Sequence, residues 1–264
     1  MSGSSPITAQ LDDHSLAAAL AEGAGGVLLT VRGGFPAGHD RGAAGDAAAQ
    51  DWLSESLARC RPSDAVLSEE AVDDAARLAS RRVWIVDPLD GTREFSEDGR
   101  TDWAVHVALW EDGDLVAGAV ALPALGRLLA TPTVPPPTTT GTLKRITVSR
   151  TRPPAVAEAV AERLGAALVP MGSAGAKAAA VVTGEVDAYV HAGGQYEWDS
   201  AAPVAVARAA GLHASRLDGS ALRYNEERPY LADLIVCRPE LAASLLAAVG
   251  AELAIETTST GDPS

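Results

Sequence analysis

Two aspartates, Asp87 and Asp90, flank a proline in the stretch VDPLDGT, directly after the apolar run 83–86. Pro88 and Gly91 turn such a stretch tightly. Either the acids serve the turn itself, or the turn holds carboxylates together for a cation. Bringing them together costs like-charge repulsion unless a positive ion neutralises it. Hard divalent ions take oxygen ligands, and Mg²⁺ suits carboxylates combined with a substrate phosphate. The backbone carbonyl of Leu89 adds an oxygen. Thr92, just past Gly91, offers a hydroxyl that can orient a water for metal-assisted hydrolysis. Two further acidic places stand out: Glu69 and Glu70 after the short apolar run 65–67, and Asp199 in YEWDSAAP before an alanine-rich helix. Each alone reads as a solvated acid or a cap, Asp199 as a cap for a helix starting at Ser200. Taken together they read as a site.

Other motifs fit less well. An aspartyl-phosphate enzyme carries D-x-D-x-T, whereas here Pro88 and Leu89 separate the acids. An EF-hand loop needs acids at alternating positions and a terminal Glu. The stretch GSAGAK, residues 172–177, lacks the G-x-x-x-x-G-K-[ST] spacing, yet Gly172 and Ser173 open a helix whose amides can hold phosphate.

Elements that position these residues follow from periodicity. Apolar spacing of three and four predicts a helix over 11–31, and Asp46 has N-cap chemistry for a second helix ending near Arg59. The run 83–86 is a strand entering the acidic turn, and 103–110 and 114–122 form a hairpin. Prolines in 131–142 exclude helix and central strand and mark a surface loop or lobe boundary. Beyond it, strands near 146–148, 167–170 and 186–191 alternate with helices over 154–164, 174–182 and 200–210. The fold class is α/β: an α+β lobe over 11–140 carrying Glu69, Glu70 and VDPLDGT, and an α/β lobe over 141–256 carrying WDSAAP. Residues 1–10 and 257–264 read as loose tails.

With 264 residues and 47% hydrophobic content, the chain is long enough for a core without covalent staples. A net charge of −14 speaks against nucleic acid, which needs basic patches, but not against a small anion bridged by metal. The two cysteines, Cys60 and Cys237, form no C-x-x-C pair and read as buried thiols in a reducing compartment. The N-terminus lacks a secretory pattern, and charges break the apolar runs before the ~18 residues that span a bilayer. A cytoplasmic protein without membrane partners is expected, and a homodimer is allowed.

In order along the chain, SEE, VDPLDGT and WDSAAP resemble the three signatures of the inositol monophosphatase superfamily. That resemblance implies a layered αβαβα sugar-phosphatase fold and a lithium-sensitive, Mg²⁺-dependent phosphomonoesterase. It implies that Glu69, Asp87 and the Leu89 carbonyl hold one Mg²⁺, that Asp87, Asp90 and Asp199 hold a second, and that Glu69 helps with a third. Thr92 with Asp46 would activate the water, so the catalytic residues are Asp46, Thr92 and Glu69.

Within the superfamily, DGTREF and VSRTRPP are similar to the CysQ group, whose members hydrolyse the 3′-phosphate of 3′-phosphoadenosine 5′-phosphate in sulfate assimilation. Arg93 and Glu94 tilt the reading towards that nucleotide bisphosphate. Arg150 and Arg152 are candidate partners of its other phosphate. Gly91, Thr92, Gly172, Ser173, Lys177 and Glu197 are candidates for the substrate pocket, and His191 reads as packed. Alternatives are an inositol or fructose phosphate on the same metal core, or a non-catalytic metal or anion sensor. Where the family has a Lys and a V-T-x-x-D run in a loop over the site, this chain reads HDRGAAGD.

Overall fold

The computed structural model describes residues 7–137 and 141–259, with side chains through Ile255. Strands β1 (Ala65–Ser68), β2 (Arg82–Asp90), β3 (Ala104–Glu111), β4 (Asp114–Leu122) and β5 (Arg127–Ala130) form one sheet in chain order, parallel only between β1 and β2. The second sheet comprises β6 (Arg145–Ser149), β7 (Ala167–Met171), β8 (Ala188–Tyr196), β9 (His213–Ser215) and β10 (Tyr230–Cys237), in the order β7-β6-β8-β10-β9.

Helices α1 (Asp13–Gly34) and α2 (His39–Cys60) bury Leu16, Leu20, Leu28 and Leu53 against one face of the first sheet. Its other face shares a core with α5 (Ala174–Val182), α6 (Glu197–Ala209) and the second sheet. Helices α4 (Ala155–Leu164) and α7 (Pro239–Ser259) cover the far side, which gives the expected αβαβα layering. The alanines of α5 and α6 keep this middle layer thin, since small side chains let backbone approach both sheets. Ala205 on α6 lies so near Gly118 on β4 that a Cβ there would sit 2.6 Å away.

Several expectations are corrected. By length and hydropathy α1 would pass as a membrane span, contrary to the expectation that charges interrupt every such run, but Leu16, Leu20 and Leu28 on one of its faces are buried in the core. Helix α2 begins at His39, so Asp46 lies inside it and is no N-cap, and HDRGAAGD is helix instead of loop. The glycines that look like breakers are contact points: a Cβ at Gly45 would come 2.8 Å from Phe95 Cε1 and 3.0 Å from Leu89 Cδ2. Helix α6 begins at Glu197, placing Asp199 in its first turn, where Oδ2 accepts the Tyr196 N–H at 2.7 Å. Residues 257–259 end α7, and Ile7 packs on the first core, so neither stretch is a loose tail. Residues 1–6, 138–140 and 260–264 of the predicted tails and loop lie outside the described residues. Cys60 and Cys237 are free and buried.

The packing role of Gly45 has a measurable consequence. Gly45→Val overpacks the α2 contact and lowers stability by about 1–3 kcal/mol in urea unfolding. Gly26→Ala, on an open face of α1, raises it by about 0.5–1 kcal/mol. Equal effects at the two positions would show that close approach at Gly45 is unimportant.

Candidate active site

β-Bulge geometry creates the site. The register of β2 against β3 shifts between Asp87 and Asp90, where Pro88 cannot donate to a ladder, so both aspartates face the same region at the strand's end. Gly91 then turns the chain with φ +89°, a left-handed value that favours glycine, into the short helix α3 (Thr92–Ser96). Asp199 reaches the same point from the first turn of α6. One oxygen from each of Asp87, Asp90 and Asp199 lies within 4.8 Å of the others.

These carboxylates are held in different ways. Asp87 is fully buried and Oδ1 accepts the Leu89 N–H at 3.0 Å, while Oδ2 has no hydrogen-bond partner among the described residues. Burial, then the charges of Glu69, Asp90 and Asp199, hold its pKa well above the carboxylate range. Burial and then Asp90 push Asp199 up to about 6. Burial also raises Asp90, but His106, Lys177 and the Gly175 N–H outweigh it and leave this carboxyl below its usual range. Gly175 donates to Asp90 Oδ2 at 2.6 Å. Glu69, in the exposed turn after β1, is pushed up to about 7 by partial loss of solvent around its carboxyl and then by Asp199, Asp90 and Glu70. A buried carboxylate oxygen without a donor, facing other carboxylates, fits an oxygen-ligated divalent cation.

Thr92 meets Asp46 beside this cluster. Its Oγ1 lies 3.2 Å from Asp46 Oδ1 and 3.2 Å from the Leu89 carbonyl oxygen. Burial and then Glu70 push Asp46 up to about 6.

A cavity of about 510 Å³ opens onto Asp90, Gly91, Thr92 and Asp199. Arg150, Arg152, Gly172, Ser173, Lys177 and His191 also line it, but several are already engaged. Arg150 Nε donates to Glu94 at 2.7 Å and a terminal nitrogen to Glu97 at 2.6 Å, so it is a neutralised strut between the lobes and no free phosphate ligand. The Gly172 and Ser173 amides donate to the Asp102 carboxylate and carbonyl, at 2.7 and 3.2 Å, so the expected phosphate-binding amides are occupied. Lys177 Nζ is turned inward to the carbonyls of Gly172 and Ser173, and His191 Nε2 lies 3.0 Å from the Gly194 carbonyl. Arg93 and Arg152 line the same cavity and make no ion pair among the described residues.

Glu197 is corrected outright. It is buried away from the cavity and accepts the N–H groups of Asn225 and Glu226 at 2.7 and 2.9 Å. Arg77 closes this network through Asn225 Oδ1, at 2.7 Å, and the Glu226 carbonyl, at 2.9 Å. The chain after Glu70 is thereby tied to the first turn of α6, two residues before Asp199.

His106 was missed by sequence reasoning. It stands opposite Asp87 in the β2–β3 register, fully buried, with Nε2 3.1 Å from Asp90 Oδ2 and Nδ1 3.0 Å from the Trp198 carbonyl. A carbonyl only accepts, so Nδ1 carries a proton. Burial lowers the imidazole's pKa, but Asp90, with the Trp198 carbonyl, more than offsets it and leaves the ring more basic than a free histidine. The available signal was a polar residue midway along the apolar strand WAVHVALW.

The profile described as the inositol monophosphatase family matches residues 39–254. A Mycobacterium leprae protein named 3′-phosphoadenosine 5′-phosphate phosphatase is 53% identical over 256 residues, covering 91% of this chain and 94% of that protein. A Mycobacterium bovis protein of the same name is 56% identical, covering 86% and 89%. Among solved structures, CysQ from Bacteroides thetaiotaomicron superposes with a TM-score of 0.73 at 24% identity, covering 87% of this chain and 98% of that one. A Thermotoga maritima IMPase gives 0.75 at 21% identity, covering 93% and 99%.

Proposed function

The chain belongs to the inositol monophosphatase family, and from that premise we propose that it is a cytoplasmic, Mg²⁺-dependent phosphatase that converts 3′-phosphoadenosine 5′-phosphate to AMP and phosphate in sulfate assimilation. One observation carries the reading: a single cavity opens onto both the aspartate cluster and two arginines, Arg93 and Arg152, that have no carboxylate partner among the described residues. A bisphosphate needs both ends of such a cavity. The relatives named for this activity, at 53% and 56% identity over most of the chain, supply the nucleotide.

The all-oxygen donor set and the unpartnered Asp87 Oδ2 fit Mg²⁺, which Asp87, Asp90, Asp199, Glu69 and the Leu89 carbonyl would hold. When bound, it neutralises phosphoryl charge and acidifies water. The chain's own part is proton handling and orientation. With its pKa at about 6, Asp46 is ionised at neutral pH and accepts a hydrogen bond from the Thr92 hydroxyl, which keeps its proton. The Thr92 oxygen then presents a lone pair to the attacking water and aligns it with the phosphorus. Gly91 lets the chain pass close to that position without a side chain, and Arg152 with Arg93 receives the 5′-phosphate in place of Arg150.

A phosphate-release panel tests the assignment: with Mg²⁺, kcat/KM is highest for 3′-phosphoadenosine 5′-phosphate, ahead of inositol 1-phosphate and fructose 1,6-bisphosphate. Preference for a sugar ester overturns the substrate alone, and no turnover on any overturns the enzyme. Thr92→Val lowers kcat by about 10²-fold with KM little changed, while Thr92→Ser retains most activity. A Val variant within threefold of wild type would remove Thr92 from water activation.

A further inference from the structure

We infer that Tyr196 and Tyr230 form an aromatic corner that receives the purine base of the nucleotide substrate. The inference rests on the substrate reading above and assigns the part of the ligand that neither the acids nor the arginines address.

Only four tyrosines occur in this chain, and three of them, Tyr189, Tyr196 and Tyr230, line the cavity that opens onto Asp90 and Asp199. Tyr189 is buried in its floor under the Lys177 ammonium, 5.3 Å from the ring centre. Tyr196 and Tyr230 are 49% and 40% exposed. Isolated exposed aromatics are ordinary. These two are neither isolated nor loose. Their centroids are 5.8 Å apart with the rings at 83°, so they meet as two walls of a corner. Trp198 stacks on Tyr196 at 4.6 Å and 7°, fixing one ring from one face. The Arg228 guanidinium lies 5.0 Å from the Tyr230 centroid, and the Tyr230 hydroxyl donates to the Gly193 carbonyl at 3.4 Å.

Local backbone serves this placement. Gly193 and Gly194 have φ of +94° and +90°, and a Cβ at Gly194 would fall 1.5 Å from the Tyr230 hydroxyl oxygen. The chain therefore bends where the second tyrosine must enter, beside the β8–β10 register shift between Leu231 and Asp233. The corner is tied to the chemistry as well, because the Tyr196 N–H is held by Asp199, a member of the aspartate cluster.

A pair of rigid, perpendicular π surfaces at a polar cavity suits a flat heteroaromatic ring, which stacks on one wall and meets the other at its edge. An inositol or fructose ring has no π face, so it cannot stack there as a base does and gains less. The corner therefore selects nucleotide over sugar phosphate on a metal centre that treats their phosphates alike.

Kinetics and product binding with Mg²⁺ present test this. Tyr196→Ala and Tyr230→Ala each raise KM for 3′-phosphoadenosine 5′-phosphate by roughly 10–100-fold, with kcat within about threefold. Tyr196→Phe, which keeps the ring, stays near the wild-type KM. In calorimetry, AMP binds wild type more tightly than base-free ribose 5-phosphate, and Tyr196→Ala removes that difference. Unfolding midpoints identify any variant that fails to fold, in which case Tyr196→Leu replaces it. Unchanged KM in folded Ala variants, or equal weakening of AMP and ribose 5-phosphate, overturns the corner while leaving the substrate assignment intact. Absence of turnover alongside a Tyr196-dependent preference for AMP overturns the substrate assignment and leaves the corner.

Discussion

Asp87→Asn lowers turnover by about 10³-fold or more while the variant stays folded, because the change removes a charge from the cluster and leaves the shape of the side chain. Asp87 is the member for which ionisation is most costly in the metal-free protein: it is wholly buried, one oxygen is unpartnered, and its pKa is held up by burial and then by Glu69, Asp90 and Asp199. An amide of equal size relieves that repulsion. The metal-free variant is therefore at least as stable as metal-free wild type at pH 8, and it loses the rise in melting temperature that Mg²⁺ gives wild type. Thermal scans with and without Mg²⁺, beside turnover, separate the two effects. Near-normal activity, or an undiminished Mg²⁺ shift, would remove Asp87 from the metal centre.

The second large effect is on pH. Without metal, the melting temperature falls as pH rises from about 4 to about 7. Burial, reinforced by neighbouring carboxylates, holds Asp46 and Asp199 at about 6 and Glu69 at about 7, against ordinary values of 3.8, 3.8 and 4.5. Each raised acid keeps its proton longer in the folded state than in the unfolded chain. Across that window the native state binds more protons, so stability declines with pH; the penalty is absent below the ordinary values and complete above the raised ones. Asp90 is lowered and acts in the opposite sense only in more acidic solution. Cation binding needs ionised carboxylates, so the stabilisation by Mg²⁺ grows over the same window. Melting temperatures at pH 5 and pH 8, each with and without Mg²⁺, check both trends. A metal-free melting temperature that climbs from pH 5 to pH 8 would contradict this electrostatic account.

Local signals made the acids legible. Asp87, Asp90 and Thr92 lie in one turn whose glycine and proline announce its geometry, and Asp199 lies at the start of a helix whose alanines announce close packing. The boundaries and partners were less accessible. Gly42 and Gly45 carry the same letters as helix breakers, and only the side chains of α3 against them show that they are contacts within α2. Arg150 reads as a free cation until Glu94 and Glu97, more than fifty positions earlier, are seen to grip it. Glu197 sits beside a signature motif, yet its partners are amides in a distant loop. Such pairings depend on which surfaces the layers bring together, which residue types and spacing do not encode.

Behind the aspartate cluster, a Cβ added to Gly175 would lie 2.1 Å from His106 Nε2. The imidazole and the absent side chain occupy one volume, so positions 106 and 175 are a matched pair spanning β3 and α5. Enlarging residue 175 alone drives the ring into Asp90, whereas shrinking residue 106 alone leaves a hole behind it. Substitution at these two sites is therefore concerted in any lineage or redesign that keeps the centre working, and a double exchange costs less than the sum of its halves.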